Sequence, residues 1–275
     1  MPYATNQNVR IHYQVEGEGL PLVLQHGFSN SLDTWYERGY VDPLKHDYRL
    51  ILIDARGHGA SDKPHDPEAY ALQLRAGDIV AVLDHLHIAH AHFFGYSMGG
   101  WIGFGLAQYA PERFPALIIG GAQPYARSME HQRQGLQKAL TQGREAFAAG
   151  LEALYGALTP RQKARVLAND LEALLASVAQ DRPSLEAVLP TMTMPCLLFA
   201  GEADPVYPAV KECVKQMPNS RGSQRSGAAT YHEIFSHGVS LTCYRQRKNK
   251  GEVQSQSVSF VGAALLRCHH GLRVG

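Results

Sequence analysis

The chain has 275 residues, enough for one large domain with a full core. Hydrophobic residues make up 45% and charged residues 19%, the balance of a globular protein rather than a disordered one. A net charge of +1 gives no electrostatic reason to expect nucleic acid or an anionic membrane as a partner.

The N-terminal stretch, Met1 to Asn8, is polar and has neither the basic nor the apolar region of a secretory leader. No apolar run approaches the length that spans a bilayer. The expectation is a cytoplasmic protein. Cys196, Cys213, Cys243 and Cys268 show no paired spacing, so they are expected to be reduced thiols.

Val9 to Val15 alternates apolar and polar, as a half-buried strand does. Glu16 to Gly19 reads as a turn. Leu20 to Gln25 reads as a buried strand that ends at His26-Gly27-Phe28. A helix is expected from about Asp33 to Leu44, then a buried strand from Tyr48 to Asp54. Glu68 to His87 has helical spacing through Leu72, Ile79, Leu83 and Leu86. Ala91 to Phe94 is a strand, Met98 to Tyr109 a helix stopped by Ala110-Pro111, and Pro115 to Gly121 another strand. Buried strands alternating with helices argue for a mainly parallel sheet covered on both faces, the α/β class. Residues 1–125 form the first part of this core.

Residues 126–190 read as helix only and are expected to form a helical cap, rich in leucine and alanine. That composition predicts a modest apolar pocket. The core resumes over 191–220 with a strand from Met194 to Ala200 and a helix from about Pro208 to Met217. Residues 221–275 are an atypical C-terminal segment, expected to be poorly ordered or read in a shifted frame. They hold eight Lys/Arg against two Asp/Glu and lose both periodicities, apart from the apolar run Phe260 to Leu266.

The chemistry centres on Gly95-Tyr96-Ser97-Met98-Gly99, a Gly-x-Ser-x-Gly motif between a strand and a helix. Glycines two residues either side allow a sharp turn that leaves Ser97 at its apex. The N–H of Met98 points the same way. The N–H of Phe28, at the end of the early strand, would face it and complete a two-donor oxyanion hole. Asp204, at the end of a late strand, can orient a histidine and stabilise its charged form. Asp54 to Asp62 reads as a tight structural loop, and His58 within it as structural.

The order of serine, acid and histidine, with His-Gly-x upstream and Asp-x-Arg-Gly-His-Gly-x-Ser-Asp between, resembles the α/β-hydrolase superfamily. The likeness is to its small cap-bearing members and covers residues 1 to about 218. It implies an eight-stranded, mostly parallel sheet and no cofactor. It also implies Ser97 as nucleophile, Asp204 as acid, and Phe28 and Met98 as oxyanion donors. The family places a strand and then a Gly-x-x-His loop after the helix ending near Met217. That strand and the closing helix have no clear counterpart here. His232, 28 residues after Asp204, is the expected base, with His237 and the pair His269-His270 as alternatives.

The implied activity is hydrolysis of an ester or related acyl bond of a small to medium apolar molecule. Lactone opening and carbon–carbon bond hydrolysis are alternatives on the same scaffold. An inactive hydrolase fold that binds a ligand is an alternative of another class. The expected partner is a small-molecule substrate, without nucleic acid or membrane; the oligomeric state stays open. His85, His87, His90 and His92 read as helix-terminal and surface histidines rather than a metal site. Arg161, Lys163 and Arg165 read as a solvated helix face. Trp101 is expected to pack the helix after Ser97, and Tyr96 is open between pocket-facing and buried.

Overall fold

A computed structural model describes residues 2–201, 204–218 and 240–244. The chain begins with a hairpin, β1 (Tyr3–Asn6) and β2 (Val9–Glu16). Gln7 and Asn8 turn it with positive φ, 46° and 65°. β3 (Leu20–Gln25) follows, then two short helices, α1 (Asp33–Glu37) and α2 (Val41–Leu44). The single helix expected over 33–44 is broken at Gly39, whose φ of +72° leaves the helical region. β4 (Tyr48–Ile53), α3 (Leu72–His85), β5 (His92–Tyr96), α4 (Met98–Tyr109) and β6 (Leu117–Gly120) complete the first part of the core.

Four helices come next: α5 (Glu130–Gln142), α6 (Arg144–Tyr155), α7 (Pro160–Ala168) and α8 (Leu171–Ser177). Thr159 and Gln162 form a capping box at the start of α7, with Pro160 at its first position. β7 (Cys196–Gly201), α9 (Tyr207–Gln216) and β8 (Ser240–Tyr244) return to the core.

The described strands form one eight-stranded sheet in the order β1-β2-β4-β3-β5-β6-β7-β8. β2 pairs antiparallel with β1 and β4; every other pairing is parallel. Alternation along the central strands divides the core. Val23, Ile51, Phe93, Ile119 and Leu198 face α3 and α4, whereas Leu22, Leu24, Leu50, Phe94 and Leu197 face Trp35 and Leu44. Both faces are thus buried, which is why these strands read as continuous apolar runs. A third cluster, including Leu136, Phe147, Leu171 and Leu174, holds the cap helices together and packs on Phe28.

β8 corrects the expectation that the segment after 220 lacks a strand. It pairs with β7 from Leu197↔Ser240 to Gly201↔Tyr244, further along the chain than the family pattern suggests. The rest of the expectation for 221–275 lies outside the described residues. No described helix is long and apolar enough to cross a membrane.

Candidate active site

Ser97 is the one residue between β5 and α4. Its φ of 56° and ψ of −110° are rare for a residue with a side chain, a conformation that costs about 1–3 kcal/mol. The turn is held by its N–H, which donates to Gly120 O at 2.8 Å, and by its carbonyl, which accepts from Trp101 N–H at 3.0 Å. Close packing requires the flanking glycines. A β-carbon on Gly95 would stand 2.3 Å from Gly99 O, and one on Gly99 would stand 2.2 Å from Gln25 O. Met98 opens α4, so its N–H belongs to the first turn, where no intrahelical acceptor exists.

The end of β3 meets this turn. A β-carbon on Gly27 would lie 3.3 Å from Ser97 Cβ. His26 is buried and bridges two loops: Nδ1–H donates to Gly27 O at 2.8 Å, and Nε2 accepts from Ala55 N–H at 3.1 Å. Burial lowers the His26 pKa despite the nearby Asp54 carboxylate and the Gly27 carbonyl. Asp54 accepts from Leu32 N–H, Ala60 N–H and His12 Nδ1–H, at 2.8, 2.9 and 2.8 Å. Burial pushes Asp54 upward, but His12, His26 and the two N–H groups outweigh it and hold the carboxyl below its usual range. His58 is fully buried against the rings of His26 and Phe28. Burial first, then the charge of His26, lowers its pKa to about 3. The Asp54 to Asp62 loop is therefore a brace for the segment that carries Phe28.

The cap braces the same segment. Asn169 Nδ2 donates to Ser29 O at 3.0 Å, and Arg165 donates to Asn30 Oδ1 at 3.1 Å. Arg165 also pairs with Glu37 at 2.5 Å, with only 14% and 11% of the two side chains exposed. This corrects the reading of Arg165 as part of a solvated face. Its positive charge sits under the cap because the carboxylate that neutralises it is there too.

Asp204 follows β7, and β6 alone separates β7 from β5. At about 4.8 Å per strand step, Ser97 and Asp204 end strands roughly 10 Å apart. Asp204 N–H donates to Gly201 O at 2.9 Å, and its Oδ1 accepts from Val206 N–H at 3.0 Å. Phe28, Ser97 and Asp204 thus all follow the carboxyl ends of parallel strands, the edge where open α/β sheets bind ligands. His232, His237, His269 and His270 lie outside the described residues.

A small recess beside Ser97 is lined by Gln123, Tyr125, Arg127 and Arg182. It is polar and cationic where the cap composition predicts an apolar pocket. Arg182 stacks over Trp101, its guanidinium carbon 4.4 Å from the ring centre. Neither arginine was legible as a site residue, because 55 positions separate them and only the tertiary fold brings them together. Arg75 on α3 was also silent; it is buried, and its guanidinium reaches Met98 Sδ at 3.4 Å. A larger groove of about 520 Å³ runs between α7 and the loop after β3, but Ser97 does not line it.

One surface reading changes, and one open reading narrows. His85, His87 and His90 are exposed, but His92 is buried in β5. Tyr96 is 43% exposed. Among the described residues no group of His, Cys, Asp and Glu could hold a metal ion.

Comparison with known proteins agrees with this architecture. A 3-oxoadipate enol-lactonase 2 from Acinetobacter baylyi is 35% identical over 74% of this chain and 79% of its own. An enol-lactonase structure from Burkholderia xenovorans LB400 superposes with a TM-score of 0.77 at 21% identity, over 96% of this chain and 100% of that one. A hydrolase structure from Pseudomonas aeruginosa PA01 gives 0.78 at 23% identity, over 96% and 97%. A family model of the alpha/beta hydrolase fold matches residues 21–215, and the chain belongs to that family of hydrolases.

Proposed function

We propose that the chain is a serine hydrolase that opens a carboxylic ester or a lactone. The observation that carries this reading is the backbone of Ser97, held at φ 56° and ψ −110° at the sole point between β5 and α4. Strain of this kind persists where a site requires it. It presents the hydroxyl at the sheet edge, next to the end of β3.

In this reading Ser97 Oγ attacks the acyl carbon while a histidine takes its proton. The N–H groups of Phe28 and Met98 hold the oxyanion. The histidine then protonates the leaving oxygen, and water cleaves the acyl-serine. Asp204 orients the histidine through the carboxylate oxygen that Val206 does not occupy. His232 is the base, the substrate is a small molecule, and no cofactor takes part. The relative at 35% identity is named as an enol-lactonase, which supports a cyclic ester among the bonds opened.

One observation favours a second source for the base. β8 runs parallel to β7, so Tyr244 lies level with Gly201 at the edge where Ser97 lies. The histidines that follow Tyr244 in the chain are His269 and His270.

A fluorophosphonate probe read by mass spectrometry tests the proposal. An adduct on Ser97, absent from Ser97→Ala, together with turnover of ester or lactone panels, is the expected result. A folded protein without adduct would overturn it and favour an inactive binding protein. Turnover of a diketone in preference to esters would move the reading to carbon–carbon hydrolysis. Loss of labelling in His232→Ala selects the first base; loss in His269→Ala or His270→Ala selects the second.

A further inference from the structure

We propose that Arg127 and Arg182 bind a carboxylate of the substrate in the recess beside Ser97, so that the ester or lactone opened there carries an acid group. This rests on the serine reading above and narrows its substrate class.

The two arginines face each other. Arg127 N–H donates to Arg182 O at 3.0 Å, and Arg182 N–H donates to Arg127 O at 2.9 Å. A pair that exchanges both bonds is directly opposed, and its side chains leave on the same face. Both line the recess that contains Ser97. Like charges placed opposite each other repel, so the arrangement lacks a counter-charge.

No described residue supplies one. Arg127 and Arg182 have no carboxylate partner among the described residues. Asp181, next in the chain, is turned to Met129 N–H and Arg133, both at 2.9 Å. Glu186 accepts from Gln216 at 2.9 Å. A third cation lies close by. Arg75 gives its N–H groups to Tyr70 O, Ser177 O and Met98 Sδ, and has no carboxylate in hydrogen-bond contact among the described residues. Burial, then the charges of Arg75 and Arg127, lowers the Arg182 pKa to about 9. An anion entering the recess would reverse that effect and meet two planar donors suited to a carboxylate.

Size points the same way. The recess has room for about one water molecule, so it suits a compact polar group rather than an acyl tail. Arg127 is exposed, so its side chain is open to an entering group. With the carboxylate held there and the acyl carbon at Ser97, the two groups belong to one short molecule.

The test compares 4-nitrophenyl hydrogen glutarate with 4-nitrophenyl valerate, which share acyl length and differ in the terminal carboxylate. Wild-type kcat/KM should favour the glutarate by roughly tenfold to a hundredfold, the worth of a charge-assisted contact. Arg127→Gln and Arg182→Gln should each carry that ratio toward unity, and Arg182→Lys should restore part of it. Free glutarate should slow fluorophosphonate labelling of the wild type and not of Arg127→Gln. Labelled Ser97 with no preference for the glutarate, or a preference unchanged in both Gln variants, would overturn the subsite and leave the serine reading intact. Calorimetric binding of glutarate that is lost in Arg127→Gln, in a protein that neither labels nor turns over, would support the subsite and remove the serine reading. No binding and no preference would overturn the proposal.

Discussion

Gly27 and Ser97 lie so close that a β-carbon on the glycine would stand 3.3 Å from that of the serine. The end of β3 is therefore a wall of the serine turn. Gly27→Ala adds one carbon where its neighbours must give by a few tenths of an ångström. The expected result is a stability loss of about 1 kcal/mol by urea denaturation. On the proposed mechanism ester turnover should fall more, roughly tenfold in kcat, because the N–H groups assigned to the oxyanion lose alignment. A kcat unchanged at equal stability would separate the end of β3 from the chemistry.

Ser97 holds a backbone conformation that glycine adopts without strain. Ser97→Gly should therefore raise the unfolding free energy by about 1 kcal/mol relative to Ser97→Ala, while both variants lose activity. Chemical denaturation of the pair checks this. Equal stabilities would mean the turn carries no strain at this residue.

The ion pair between Arg165 and Glu37 ties the cap to the core. Arg165→Ala should cost about 2–3 kcal/mol, since it leaves a poorly exposed Glu37 with a weaker partner in Arg161. Limited proteolysis should then cut within the cap faster than in the wild type. Arg161→Ala, at an exposed position, should change neither readout much. Similar behaviour of the two variants would show that Arg165 does not anchor the cap.

Acid should weaken the fold from near neutrality. His58 ionises at 6.5 when exposed but at about 3 in the folded protein. Between those values the unfolded chain binds a proton that the folded chain refuses. Its contribution is complete above pH 6.5 and drains away as pH falls, by about 1.4 kcal/mol per pH unit. His26, also lowered, acts with the same sign. Asp54, held below its usual value, adds a further loss at lower pH, as the carboxylate is protonated. Urea midpoints at pH 7, 6 and 5 should fall in step. His58→Gln should be less stable at pH 7 and show a shallower slope; parallel slopes would place the effect elsewhere.

The parts of the site legible in the sequence are local ones. Ser97, Gly95 and Gly99 belong to one turn, whose backbone geometry is spelled out by adjacent residues. The buried strands were legible because both faces of the sheet are covered. The break at Gly39 was hidden, since Trp35, Val41 and Leu44 are all buried and keep an apolar spacing across it. β8 was hidden because its five residues stand further along the chain than the family pattern places that strand. The pairing of Arg165 with Glu37 and of Arg127 with Arg182 depends on contacts across the fold, which no local pattern records.

The facing pair Arg127 and Arg182 has a topological consequence. The chain leaves the sheet after Gly120 and re-enters it at Cys196, and between those points Arg127 pairs with Arg182, so residues 128–181 are an excursion closed at its neck by two backbone hydrogen bonds. Each doubling of such an excursion adds only about 0.6 kcal/mol of closure entropy. It can lengthen, shorten or be replaced as a module while the strands keep their register. The turn at Ser97 and the paired arginines lie outside that insert and keep their places whatever its length.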